Sequence, residues 1–276
     1  MKRQLSLLSI VLGLWVSGVF AEEAKVMTVD EIVTKANHMA YYQGQDGKSK
    51  VHMVITDKQG RERNREFIIL RKNIGDNDGD QDYYVYFLAP SDVRKMVFMV
   101  QKHADINQED DRWLYLPSLD LVKRIASGDK RTSFVGSDFL YEDVSGRNLA
   151  EDAHELAETT GTMYVVKNVP KKPEAVEFSY YNVHIDKTTM MPMKMEYFDK
   201  NGTLYRTIES VKVEDIQAKE GDKDVTYPTV TESVVKDLRT GSTTKMTFAN
   251  IAYNIGLNED LFTERYLRRP PREAMR

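Results

Sequence analysis

The chain has 276 residues, with 39 Lys and Arg against 43 Asp and Glu for a net charge of −4, and it contains no cysteine. The mildly acidic balance, with no clustered basic face, excludes nucleic acid as the expected partner. The lack of thiols excludes disulfides and excludes lipid attachment at a cysteine, so the expected export signal is not a lipoprotein one.

In chain order, Lys2 and Arg3 precede the apolar run LSLLSIVLGLWVSGVF, which ends at Val19, Phe20 and Ala21 before Glu22 and Glu23. A short basic region, an apolar core and small residues before a cut describe a secretory signal peptide over 1–21. The run is too short and too interrupted by Ser and Gly for a spanning helix, which needs about 20 apolar residues. The expectation is a cleaved, soluble, periplasmic protein whose mature part, 22–276, forms a single domain. That length is one that β-barrels and sandwiches fill as one unit.

Thr28-Val29-Asp30-Glu31 is a capping box: the Thr hydroxyl accepts one free helix N–H and Glu31 reaches back to the cap. Ile32, Val33, Ala36, Met39 and Ala40 then recur at helical spacing, which predicts an amphipathic helix over 29–41. Two further short helical pieces are expected, at 137–144 between Gly136 and Gly146, and at 258–262. Most of the remainder reads as strand. Val51, Met53 and Ile55 alternate with polar neighbours, turn at 57–60 and return through Phe67, Ile69 and Arg71. Apolar segments at 83–90, 96–103, 112–117 and 121–126 follow. The second half continues at 162–169, 176–186, 193–216, 225–238 and 243–253, with 170–174 as a loop between two halves of one sheet. Strands this closely spaced imply one large antiparallel sheet.

Several strands break the usual rule that an antiparallel sheet alternates apolar and polar. In YYVYFL (83–88), MVFMV (96–100) and WLYLP (113–117) both faces are apolar. One good helix is too little to cover both sides, so the sheet must curl or leave an apolar concavity. The candidate wall of that concavity comprises Tyr84, Tyr86, Phe87, Phe98, Met99, Trp113, Tyr115, Phe134, Phe139 and Tyr141. Periodicity does not separate inner from outer on such strands. The tail, with Arg265, Arg268, Arg269, Arg272 and Arg276, reads as a solvated end.

Catalytic patterns fail one by one. The histidines, His38, His52, His103, His154 and His184, form no ligand pair at helix or hairpin spacing, so no metal site is expected. There is no G-x-S-x-G elbow, phosphate loop or dinucleotide fingerprint, and no cofactor is expected. Asp76, Asp78, Asp80 and Asp82 invite a calcium reading, but the loop pattern needs Gly at Gln81 and Glu at Phe87. Met191, Met193 and Met195 share a strand face and read as adaptable filler of an apolar cavity rather than a copper site. Asp138, Glu142 and Asp143 read as charge balance for Lys123, Arg124, Lys130 and Arg131, not as an acid–base pair. The protein is therefore not expected to be an enzyme.

The stretch DDRWLYLPSLDLVKRI (110–125), followed by KRTSFVGSDFLYED (130–143), resembles the signature block of LolA-like outer-membrane lipoprotein-sorting proteins. It is most similar to the branch associated with RND/MMPL transporters. AYYQGQDGKSKVHMVITDKQGR (40–61) and LNEDLFTERYL (257–267) extend the resemblance over nearly all of the mature chain. The resemblance implies a mainly β fold, an unclosed antiparallel β-barrel with a helical lid as in LolA and LolB. It also implies a periplasmic carrier of lipid or lipoprotein acyl chains, with an inner-membrane RND/MMPL-type transporter as partner. No acceptor residue is carried over, because this block sets the branch apart from the better-known lipoprotein carriers. A regulatory or transporter-accessory protein that binds lipid or a protein partner is the alternative, and an enzyme acting on lipid through Asp138 or Glu142 the third reading.

Overall fold

The computed structural model describes residues 27–76 and 78–275; the expected signal peptide, 1–21, lies outside them. The capping box forms: the Thr28 hydroxyl accepts from the Glu31 amide at 3.2 Å, and Glu31 accepts from the Thr28 amide at 2.8 Å. It starts helix α1, Val29–Asn37, which buries Ile32, Val33 and Ala36. Where an α-helix to residue 41 is expected, the last turn widens into a π-helical turn, His38–Tyr42. The Gln43 side chain closes it by donating to Met39 O at 2.8 Å.

Strands β1 (Asp46–Thr56), β2 (Glu62–Ile74), β3 (Asp80–Ala89), β4 (Val97–Lys102), β5 (Asp111–Leu116) and β6 (Leu121–Arg124) form one meander. A second comprises β7 (Asp152–Thr159), β8 (Met163–Pro170), β9 (Phe178–Asp186), β10 (Pro192–Asp199), β11 (Leu204–Glu220), β12 (Lys223–Asp237) and β13 (Ser242–Tyr253). Pairing of β1 with β13 joins the two into one 13-stranded sheet that leaves β6 and β7 as unpaired edges. The unclosed antiparallel barrel expected from the sequence is thus what forms. Register shifts in β1, β2, β10 and β11 add local bends that help the sheet curl. Strand β7 carries no alternating pattern and goes unread in the sequence, because an edge strand with most of its side chains in solvent needs none.

The link from β6 to β7, residues 125–151, crosses the inner face from one edge to the other as a strap. Phe134 anchors it, with its ring 6.0, 5.9 and 5.6 Å from those of Phe67, Phe87 and Phe98. A short helix, α2 (Tyr141–Ser145), ends the crossing. The helix expected at 137–144 therefore begins later, since Phe134 to Leu140 are spent on a tight loop: the Phe134 amide donates to Phe139 O at 2.7 Å.

The outer face has its own cover. Residues 257–274, including a helical turn α3 (Arg265–Arg268), pack Leu257, Leu261, Phe262, Leu267 and Ala274 over the outer side chains of β2 to β5. The tail is therefore not the solvated end that its arginines suggest. Arg265, Arg268, Arg269 and Arg272 are exposed, but Leu267 and Ala274 between them are fully buried. The two apolar faces of β3 and β4 follow directly. One meets the strap and the other meets the C-terminal segment.

Candidate functional site

A cavity of about 370 Å³ lies on the inner face, bounded by α1 with its π-helical turn, the strap, and strands β1, β2 and β8 to β13. The ladder stacks its wall in rows. Arg71 on β2 opposes Gly47 on β1, which opposes Tyr253 on β13; further along come Ile69 and Ser49, then Phe67 and Phe248 on either side of the core residue Val51. The opposite wall carries Tyr181, Val183 and Ile185 of β9, Met195 and Tyr197 of β10, and Ile208 of β11. Val183, Ile208, Phe248 and Ile251 face inward yet stay only half-buried, because they border open space.

Of the candidate wall residues, Phe134 and Phe139 line this cavity. Phe87, Phe98 and Tyr141 share the inner-face cluster but pack behind Phe134 and fill the end of the barrel. Tyr84, Tyr86, Met99, Trp113 and Tyr115 belong to the outer face, which places them outside the wall expected of them. The physical reason is the C-terminal segment. It gives those side chains an apolar partner, and strand parity then assigns the inner face to Tyr83, Val85, Phe87, Phe98 and Val100.

The second half of the chain supplies much of the wall, which the sequence reading left out. Its signals were present in two places. Met191 and Met195 do line the cavity, as apolar filler does. Met246, Phe248 and Ile251 on β13 hint at a face, although Asn250 at φ 52° interrupts their alternation. Tyr181 and Tyr197 stack at 4.9 Å between ring centroids. Burial, and then the nearby Asp143 charge, push the Tyr197 phenol up to about 12, so it stays neutral.

One end of the cavity is bordered by a buried ion network. Burial alone would raise the Glu142 carboxyl, but Arg131, Lys130 and Arg147 bring it down to about 2. Lys130 Nζ lies 3.1 Å away and Arg147 Nη1 3.3 Å away, and Arg131 donates directly. Arg147 also grips Asp152 at 2.9 and 3.0 Å, and Arg131 grips Glu177 through two bonds of 2.8 Å. Asp143 pairs with Arg206, and Asp138 accepts from Ser242 and Thr244. The expected balancing of Asp138, Glu142 and Asp143 by Lys123, Arg124, Lys130 and Arg131 is thus half met. Lys130 and Arg131 pair with Glu142, whereas Arg124 turns outward to Asp111. These carboxylates tie the strap and the β7 edge to the sheet.

The acidic loop is likewise engaged. Asp78 pairs with His38 at 2.9 Å, and Asp80 accepts from the Ala104 amide at 2.8 Å and lies 3.2 Å from His103. Among the described residues no helix is long and apolar enough to cross a membrane.

A family model described as an uncharacterized protein matches residues 79–269, more than half of the chain. No curated protein matches the sequence. Among solved structures, a DUF1329 family protein from Desulfovibrio piger is 28% identical with a TM-score of 0.75, covering 87% of this chain and 98% of its own. A domain assigned as an outer membrane lipoprotein-sorting protein, from Vibrio parahaemolyticus, is 25% identical with a TM-score of 0.74, covering 87% and 97%. A LolA superfamily protein from Nitrosomonas europaea shares the fold at 16% identity, with a TM-score of 0.65 and coverage of 87% and 100%. The chain belongs to the family that this model describes, and its unclosed sheet, helical cover and inner cavity are a LolA-like fold.

Proposed function

We propose that the protein is a periplasmic carrier that holds lipid-modified cargo by its acyl moiety and hands it on toward the outer membrane. The observation that carries this reading is the apolar cavity between an unclosed sheet and a two-part cover of α1 and strap. Its volume falls in the range of about 300–1,000 Å³ typical of ligand pockets, and its wall is dominated by aliphatic, aromatic and Met side chains. The family relationship and the lipoprotein-sorting assignment of the Vibrio relative point the same way.

Burying an acyl chain yields about 0.8 kcal/mol per CH₂, so sixteen carbons contribute on the order of 12 kcal/mol gross. That holds cargo firmly and makes release depend on movement of the cover. The sequence contains no nucleotide motif to drive such movement, so the carrier needs a partner. An inner-membrane transporter of the RND/MMPL type is the partner that fits a family associated with such transporters. Glu142 and Asp138, clamped by ion pairs and hydroxyls, serve this reading as structural ties and not as acid and base.

Delipidated protein titrated with a fluorescent acyl probe tests the reading. Saturable uptake, reversed by competing lipid, is the expected result, and no uptake of any acyl probe overturns it.

A further inference from the structure

The geometry points to a more specific ligand class, resting on the carrier reading: the cavity takes one acyl chain with an anionic head, and Arg71 receives the head. Capacity is the first ground. An apolar cavity of about 150 Å³ holds one benzene, six carbons. By that measure the 370 Å³ here accommodates roughly fifteen carbons, one chain and not the several of a fully acylated lipoprotein.

The second ground is charge. Among the other charged groups on the wall, Lys48 is engaged, and Glu142, Asp143 and Arg147 are consumed by ion pairs with opposite partners. Arg71 is different. Its guanidinium donates only to neutral acceptors: Asn73 Oδ1, and the carbonyls of Gln43 and Gly44. Among the described residues no carboxylate lies within ion-pair distance of it, so this half-buried cation is uncompensated. A positive charge in a low-dielectric wall favours an anion there, and a guanidinium matches carboxylate or phosphate oxygens through two donors.

The third ground is placement. Arg71 stands at one end of the stacked rows, with Ile69 and Phe67 following on the same face of β2. Beside it, Gly47 lets the Tyr253 ring lie close against β1, since a Cβ there would come within 3.3 Å of Tyr253 Cδ1 and 3.4 Å of Ala252 O. Tyr83, opposite Arg71, and Tyr253, opposite Gly47, complete the row with phenols already bonded to Gln81 and Thr229. The row is polar at this end and apolar beyond it, the order of a head followed by a chain.

Calorimetric titration of the delipidated full-length mature protein with four probes decides the matter. The probes are palmitate, palmitoyl lysophosphatidylglycerol, monopalmitoylglycerol and a tripalmitoylated lipopeptide. The expected result is one molecule bound per protein, with an anionic single-chain probe at least about tenfold tighter than monopalmitoylglycerol, the effect of one charge-assisted hydrogen bond. The ranking of palmitate against the lysophospholipid then tells a carboxylate head from a phosphate head. Arg71→Gln should erase the preference, read as the ratio of anionic to neutral affinity in the same variant, and Arg71→Lys should keep most of it. If Arg71→Gln does not fold, the wild-type preference and Arg71→Lys carry the test. Equal affinity for charged and neutral heads, or a preference unchanged in a folded Arg71→Gln protein, overturns the inference. Binding of the lipopeptide alone overturns it and leaves the carrier standing. Binding of none of the four removes both.

Discussion

Asp138 and Thr244, 106 positions apart, are bonded in both directions: the Asp138 amide donates to Thr244 Oγ1 at 2.9 Å, and that hydroxyl donates to the Asp138 carboxylate at 2.7 Å. The pair fastens the strap to β13, and Asp138 O accepts from Arg206 of β11 as well. Asp138→Ala removes hydrogen bonds to a charged acceptor, each worth about 1.5–3 kcal/mol net. In a protein of this size 1 kcal/mol moves Tm by about 2–4 °C, so losing the two carboxylate bonds should lower Tm by at least about 6 °C, read by circular dichroism. Thr244→Ser, which keeps the hydroxyl, should stay within about 2 °C of wild type. A fall as large for Thr244→Ser would show that packing, not this bond, holds the strap.

Acid should loosen the strap through Glu142 and Glu177. Both carboxyls are held at about 2 against an ordinary value of 4.5, after their arginine partners overcome burial. A depressed value in the folded state gives stability that is fully present above pH 4.5 and is lost as pH falls toward 2. Urea midpoints measured from pH 7 to pH 2.5 should decline steeply below pH 4.5. In Glu142→Gln the neutral-pH midpoint should drop, since breaking such a buried network costs about 3–5 kcal/mol, and the acid slope should flatten. An unchanged slope would place the acid sensitivity elsewhere.

Asp82 predicts the opposite pH trend on the outer face. Burial, with Glu259 and Asp80 adding their negative charges, raises its carboxyl from 3.8 to about 7. A raised carboxyl gives the folded state an advantage that is fully present below pH 3.8 and is lost progressively as pH climbs to about 7. Asp82→Asn should therefore raise Tm most at pH 8, and the gain over wild type should shrink steadily toward pH 4. Equal effects at the two pH values would contradict the assignment.

Tyr84 separates the outer face from the cavity. Its hydroxyl donates to Tyr266 O at 2.7 Å, holding the C-terminal segment on the sheet. Tyr84→Phe should cost about 1 kcal/mol and speed amide exchange in 257–274 while leaving acyl-probe affinity unchanged. Phe139→Ala, on the cavity wall, should change probe affinity and leave exchange in 257–274 as it is. A shift in probe affinity caused by Tyr84→Phe would mean that the two faces are coupled.

The sequence by itself determined most of the elements, though not the edge strand β7, and the fold class. Capping at Thr28, turn residues and alternation in β1 and β2 are local signals, and the doubly apolar runs in β3 to β5 pointed to a sheet that curls or leaves an apolar concavity. The block from Asp110 to Asp143 carried the resemblance to the LolA-like family. Only the tertiary structure decided which face is which. A strand's pattern states that two faces are buried but not against what, and the partner of Tyr84 and Trp113 is a segment about 150 or more positions away, as in the Tyr84 to Tyr266 bond separated by 182. The same reason hid the far wall and Arg71. Their significance depends on which strands pair across the closing of β1 on β13, and on which cations find a carboxylate once the chain has folded.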